Sequence, residues 1–187
     1  MQQIIPGTVI ACEERFKSNA FSQIEPVFSL TGGLTLAQVR SITGLETSTI
    51  QNWVRRNWVQ KPENKLYGKN SLLRIMIINS ARGGIQIDSV AEIMKYVNGE
   101  LEDTSDDIIS EEQFFNIFCK TVFAVEDTDG FTEEEIKTLI SLNLEDYEEK
   151  EIGAKVRLEK ALLAVTAAYF AAKFKDIANR VFDYEIK

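Results

Sequence analysis

Apolar positions recur at helical spacing over most of the chain, and the segments they define begin and end on recognisable signals. The pattern is sharpest between Ser48 and Asn57. At 100° per residue, Ile50, Trp53, Val54 and Asn57 fall on one face, while Ser48, Gln51, Asn52 and Arg55 fall on the other. Farther on, Leu158, Leu162, Val165, Tyr169 and Ala172 line one side of a long helix, surrounded by Ala161, Ala164, Ala167, Ala168 and Ala171. That side can be the centre of a monomeric bundle or the seam of a dimer. Phe114, Phe115, Phe118 and Phe123, with Phe170, Phe174 and Phe182, supply aromatic area at the same period. They read as core, with a pocket for an unknown small-molecule effector as the alternative.

Four capping boxes mark helix starts. In this motif a Ser or Thr side chain and a Glu or Gln three residues on satisfy two orphan backbone donors. Thr35 and Gln38 fit, with Leu34 and Val39 as the flanking apolar pair. Ser89 and Glu92 fit, as do Ser110 and Gln113, stapled by Ile109 and Phe114. Thr132 and Glu135 complete the set, with Phe131 and Ile136. Gly44, Gly83, Gly84, Gly99 and Gly130 mark ends. The signals together predict helices over 35–43, 47–57, 70–82, 89–98, 111–125, 132–142 and 154–183. Pro62, Asn64 and Gly68 make Val59 to Lys69 a turn or small β-wing. Pro6, Pro26 and the Gly32–Gly33 pair break the first 34 residues, with room for a short amphipathic helix near 13–24. The expected fold class is all-α.

Composition narrows the chemistry. The 187 residues contain no histidine, which excludes Ser-His-Asp and Cys-His catalysis and imidazole-bound zinc. Cys12 and Cys119 form no CxxC pair, and two cysteines are too few for a thiolate-only metal site. No cofactor, metal or catalytic pair emerges, so no enzyme is expected. Few cysteines fit a reducing cytoplasm. The first cation is Arg15, so no signal peptide is expected, and the longest apolar run, Ala161 to Ala172, is 12 residues where a membrane span needs about 20.

The net charge of −8 argues against nucleic acid, but the total hides a division. Residues 1–34 carry two basic and three acidic groups. Residues 35–99 carry nine basic and four acidic groups, net +5, and residues 100–187 carry ten basic and 22 acidic, net −12. A basic module followed by an acidic one is a pattern found where one half meets nucleic acid. It also arises from chance clustering on a solvated surface. The expected organisation is an N-terminal arm (1–34), a basic head (35–99), an acidic linker (100–109) and a helical dimerisation or effector half (110–187).

Within the basic head, two short helices meet across Gly44-Leu45-Glu46, which is helix-turn-helix spacing. The polar face of the second helix holds side chains that read base edges. Gln51 and Asn52 can pair with adenine and Arg55 with guanine, and Ser48 shares their face. Arg40, Thr49, Arg56, Lys61 and Lys69 are placed to reach phosphates. Any surface helix carries such residues, so the face alone is not decisive.

The order of the surrounding motifs resembles the winged helix-turn-helix of MerR-type regulators over residues 34–97. The resemblance lies in the Gly44-Leu45 turn, Thr49-Ile50 in the second helix, Trp58-Val59 and Pro62 leading into the wing, and Tyr67 closing it. A helix ending in Arg82-Gly83-Gly84 and a further helix after Ile87 complete the succession. It departs at Asn52-Trp53, where that family carries a tyrosine pair, and at Tyr67-Gly68-Lys69, where the wing lacks the usual Tyr-Arg-x-Tyr. No uninterrupted pairing helix follows residue 97. The whole chain is also similar to an uncharacterised domain-of-unknown-function family of Gram-positive bacteria. That likeness rests on Leu30 to Leu34, Thr43-Gly44-Leu45, Ile50 to Trp53, Asn98-Gly99 and Asp106 to Ile109. It implies a helix-turn-helix head and a helical remainder, and no activity.

The expected function is therefore sequence-specific binding of double-stranded DNA by a cytoplasmic transcriptional regulator, with a homodimer through the C-terminal helix as a further possibility. The rival is a helix-turn-helix adaptor that docks an acidic protein. Val125 to Gly130 has the outline of a calcium loop, but Val125 and Ile136 stand where carboxylates are required. Glu100 to Glu112, rich in carboxylates, reads as a solvated linker before a helix.

Overall fold

The computed structural model describes residues 3–101, 103, 105–128 and 132–186. Gly130 and Phe131, read above as a helix stop and a staple, lie outside them, as does the end of the calcium-loop outline. Among the described residues, eight α-helices and one two-stranded sheet follow two 3-10 turns, Glu14–Phe16 and Ala20–Gln23. These turns replace the amphipathic helix expected near 13–24. The N-terminal segment instead carries a short helix α1, Pro26–Thr31, with proline in its first turn, where a missing N–H costs nothing.

The head contains α2 (Leu36–Thr43), α3 (Thr47–Arg55), α4 (Lys69–Ala81) and α5 (Ile87–Asn98). Strand β1, Leu34–Thr35, pairs antiparallel with β2, Leu66–Tyr67, with Leu34 opposite Tyr67. Small as it is, this sheet ties the start of α2 to the segment after α3. The second half contains α6 (Glu111–Glu126), α7 (Glu133–Asn143) and α8 (Ala154–Val181), the last continued by one π-helical turn, Phe182–Ile186. Among the described residues, no helix is long and apolar enough to cross a membrane.

Three of the four capping boxes form with both reciprocal hydrogen bonds, at Thr35/Gln38, Ser110/Gln113 and Thr132/Glu135. The fourth does not. Helix α5 begins at Ile87 after Gln86, so Ser89 sits inside its first turn. Ile87 is partly buried against the core, and that packing extends the helix past the capping signal.

Buried side chains form one cluster that runs from Ile5 to Phe170 and spans both halves. Its centre is shared by α4 and the first half of α8, and α4 is the more fully enclosed of the two. From Ser71 to Ile78 every residue is buried, and α2, α5, α6 and α8 pack around it. A helix apolar on all sides is stable only when enclosed in this way. Its closing turn touches α8 so closely that a Cβ on Gly84 would lie 2.0 Å from the Ala168 carbonyl oxygen. The arm is fastened to the second half, since the Gln3 amide donates to the Phe123 carbonyl at 3.0 Å and Asn116 accepts from the Phe21 N–H at 3.0 Å. The acidic stretch is anchored as well. Ile108 and Ile109 are buried, and Tyr147 donates to the Ile108 carbonyl at 2.9 Å.

Candidate nucleic-acid interface

The turn between α2 and α3 is built from short-range chemistry. Gly44 has φ +69° and its N–H closes on the Arg40 carbonyl at 2.8 Å. A left-handed residue there turns the chain at once, which glycine does without steric cost. Thr43 donates its hydroxyl to Val39 at 2.7 Å and accepts the Leu45 N–H at 3.3 Å, and Leu45 is buried. The Asn79 amide of α4 donates to the Thr43 and Gly7 carbonyls at 3.1 and 3.0 Å, fixing the turn and the arm to that helix. Arg40 hydrogen-bonds the Leu45 carbonyl at 3.4 Å and pairs with Glu46 at 3.4 Å.

On α3 the two faces divide as the pattern demands. Ile50 and Trp53 are buried and Val54 is partly buried. Ser48, Gln51 and Arg55 are exposed, with Asn52 and Thr49 partly so. Arg55 donates to the Asn52 side-chain oxygen at 3.2 Å, so these two groups already meet on the outer face. Trp53 lies under the Arg82 guanidinium, 5.7 Å from its ring centre. The helix stops at Asn57, whose φ of +59° suits asparagine, and the Trp58 N–H returns to Trp53. Arg56 stacks on Trp58 at 4.9 Å and stands 3.6 Å from Asp88.

The expected phosphate contacts separate into two groups. Lys61 is exposed, two residues before the Glu63–Leu66 turn. Lys69 is held between Glu25, at 3.1 Å, and Glu112. Burial works against its charge, but the hydrogen bonds to Glu112 and Glu25 prevail and raise its pKa above the ordinary lysine range. Its charge is thus matched inside the chain, and we set it apart from the outward-facing cations. Arg74 is likewise internal. It is 7% exposed and donates from both Nε, at 2.7 Å, and Nη2 to the same oxygen, Oε1, of Glu111, which is 6% exposed. Burial drives the Glu111 carboxyl up in pKa, and the Arg74 charge opposes that rise. Of the nine basic residues in 35–99, Arg55, Lys61, Lys65 and Arg82 have no carboxylate partner among the described residues.

Lys65 was not singled out by the sequence. It sits with Asn64 in the two-residue turn between Glu63 and Leu66, whose backbones exchange hydrogen bonds at 3.0 and 2.8 Å. Asn64 has φ +49° and Lys65 φ +66°. Two left-handed residues make the turn that matches strand twist, where Asn-Gly is usual. The signal available was Asn64 at the first turn position; a lysine in place of glycine at the second concealed it.

Residues 24–118 match a protein family described as a domain of unknown function, DUF1836. No curated protein and no solved structure matches the chain.

Proposed function

From the premise that the chain belongs to the DUF1836 family, we propose that it is a sequence-specific DNA-binding protein and a transcriptional regulator of the cytoplasm, working by binding rather than catalysis. One observation supports this reading above the others. Helix α3 buries Ile50 and Trp53 and turns Ser48, Gln51 and Arg55 outward, with Asn52 bonded to Arg55. In the MerR-like docking we propose, that face enters the major groove. Gln51 and Asn52 address adenine, Arg55 guanine, and Ser48 either. Arg40, Thr49, Arg56 and Lys61 take phosphates, and Lys65 joins them at the wing tip. A strained, exposed lysine at a turn is a costly way to make a hairpin, and such strain concentrates where a side chain is used.

Binding-site selection with the parent, Arg55→Ala and Lys61→Ala tests the assignment. Arg55→Ala should relax preference at one base position and cost about 1–3 kcal/mol, whereas Lys61→Ala should weaken all sequences alike. If Arg55→Ala selects the parental sequences, α3 is not the reading helix. If neither variant alters DNA binding and both weaken a captured protein partner, the adaptor role replaces this one.

A further inference from the structure

Two adjoining cavities lie where the end of α3, α4 and α5 meet the segment that follows α5. The outer one has a volume of about 270 Å³. Arg56, Arg74 and Lys95 line it together with Asp88, Glu92 and Glu100, so its charges balance. All of these except Arg74 are exposed, and the cavity is open to solvent through them. The inner one is about 10 Å³, room for a single group the size of a water molecule or an ammonium. The two share Arg74, Glu100 and Leu101.

The inner cavity is lined by polar side chains that the fold leaves incomplete. Asn98, the last residue of α5, is 1% exposed, and neither its Nδ2 nor its Oδ1 has a hydrogen-bond partner. Glu111 adds a third orphan, Oε2, because both Arg74 bonds go to Oε1. Burying polar atoms without partners is unfavourable, so three of them around one cavity mark a place that another molecule completes.

The atoms define what that molecule carries. Asn98 Oδ1 and Glu111 Oε2 need donors, and Asn98 Nδ2 needs an acceptor. Two carboxylates, Glu111 and Asp107, line the inner cavity against one cation, Arg74, since Glu100 is matched by Lys95 at 2.5 Å. The donor that fits this imbalance is a cation, an ammonium. The acceptor belongs toward the outer cavity, where Arg74 reaches as well. Arg74 directs Nε and Nη2 to Glu111, and its Nη1 has no hydrogen bond among the described residues. An anion placed there meets Asn98 Nδ2 and Arg74 together. An ammonium and a carboxylate on one carbon make an α-amino acid. We propose that the paired cavities bind a free α-amino acid, its ammonium in the inner cavity and its side chain in the outer. Equal numbers of both signs around the outer cavity suit a zwitterion, whereas a phosphate site carries an excess of cations. The inference does not rest on DNA binding, because none of the residues proposed to read bases lines either cavity.

Thermal unfolding of the full chain with each of the twenty standard L-amino acids, at about 5 mM, tests it. A ligand present at about a hundred times its dissociation constant should raise the midpoint by about 5–10 °C. The amine and the carboxylic acid that correspond to it, each lacking one of the two groups, should give no shift. Asn98→Leu removes the orphaned atoms at similar volume. It should unfold at or above the parental midpoint and lose the response to the amino acid. Ala91→Trp fills the outer cavity from a half-buried position in its wall and should lose the response too. Should Asn98→Leu fail to fold, Ala91→Trp decides alone. No shift with any of the twenty would leave the cavities to water and overturn the proposal, as would a shift that survives in either variant. An equal shift from the amine alone would overturn the place given to the carboxylate, and with it the amino acid.

Discussion

At the residue scale, the division of α3 into two faces rests on Trp53, which is 2% exposed and roofed by Arg82. Truncating so large a buried ring removes its transfer energy and leaves a cavity. Trp53→Ala should cost about 3–5 kcal/mol, read from denaturant unfolding under otherwise constant conditions. An unchanged midpoint would mean that the ring is not part of the core and that α3 presents the wrong face outward. Trp53, Ile50 and the opposing Ser48, Gln51, Asn52 and Arg55 were legible in the sequence because helical period and side-chain chemistry agree there. Lys69 was not. Its place flanking the expected wing turn suggested an outward cation, but Glu25 and Glu112 come from elements distant in the chain, and no local pattern announces their convergence.

At the scale of elements, the four expected starts succeeded wherever the cap was the strongest local force and failed at Ser89, where burial of Ile87 extended α5 by two residues. The link between α4 and α6 was invisible for the same reason as Lys69. Arg74 and Glu111 stand 37 positions apart, and each alone reads as a surface charge in a helix. Buried together, they hold the basic and acidic halves in register. Removing one charge from such a pair strands the other in a poor solvent. Glu111→Gln should therefore destabilise the protein by about 3–5 kcal/mol, whereas Arg74→Met combined with Glu111→Leu should recover much of that loss. Thermal unfolding of the three proteins separates these outcomes. Equal stability of the parent and Glu111→Gln would show that the pair is open to water.

At the scale of the whole molecule, charge asymmetry and helical class could be read directly, since both are sums over the sequence. The enclosure of α4 by four helices, and the fastening of the arm to α6, could not, because they depend on which apolar faces meet. That packing also revises the electrostatics. The net +5 of residues 35–99 suggested about five phosphate contacts, yet Lys69 and Arg74 are spent on carboxylates of other elements. Arg40, Arg56, Lys61 and Lys65 remain as the exposed cations proposed for phosphates, with Arg55 proposed for a base. The most direct test of DNA binding is the affinity of the full chain for a pool of duplex genomic fragments at a series of salt concentrations. With three to four phosphates neutralised, the logarithm of the association constant should fall against the logarithm of salt with a slope of about −3 to −4. Absence of binding even at low salt, or binding with no salt dependence, would contradict the account.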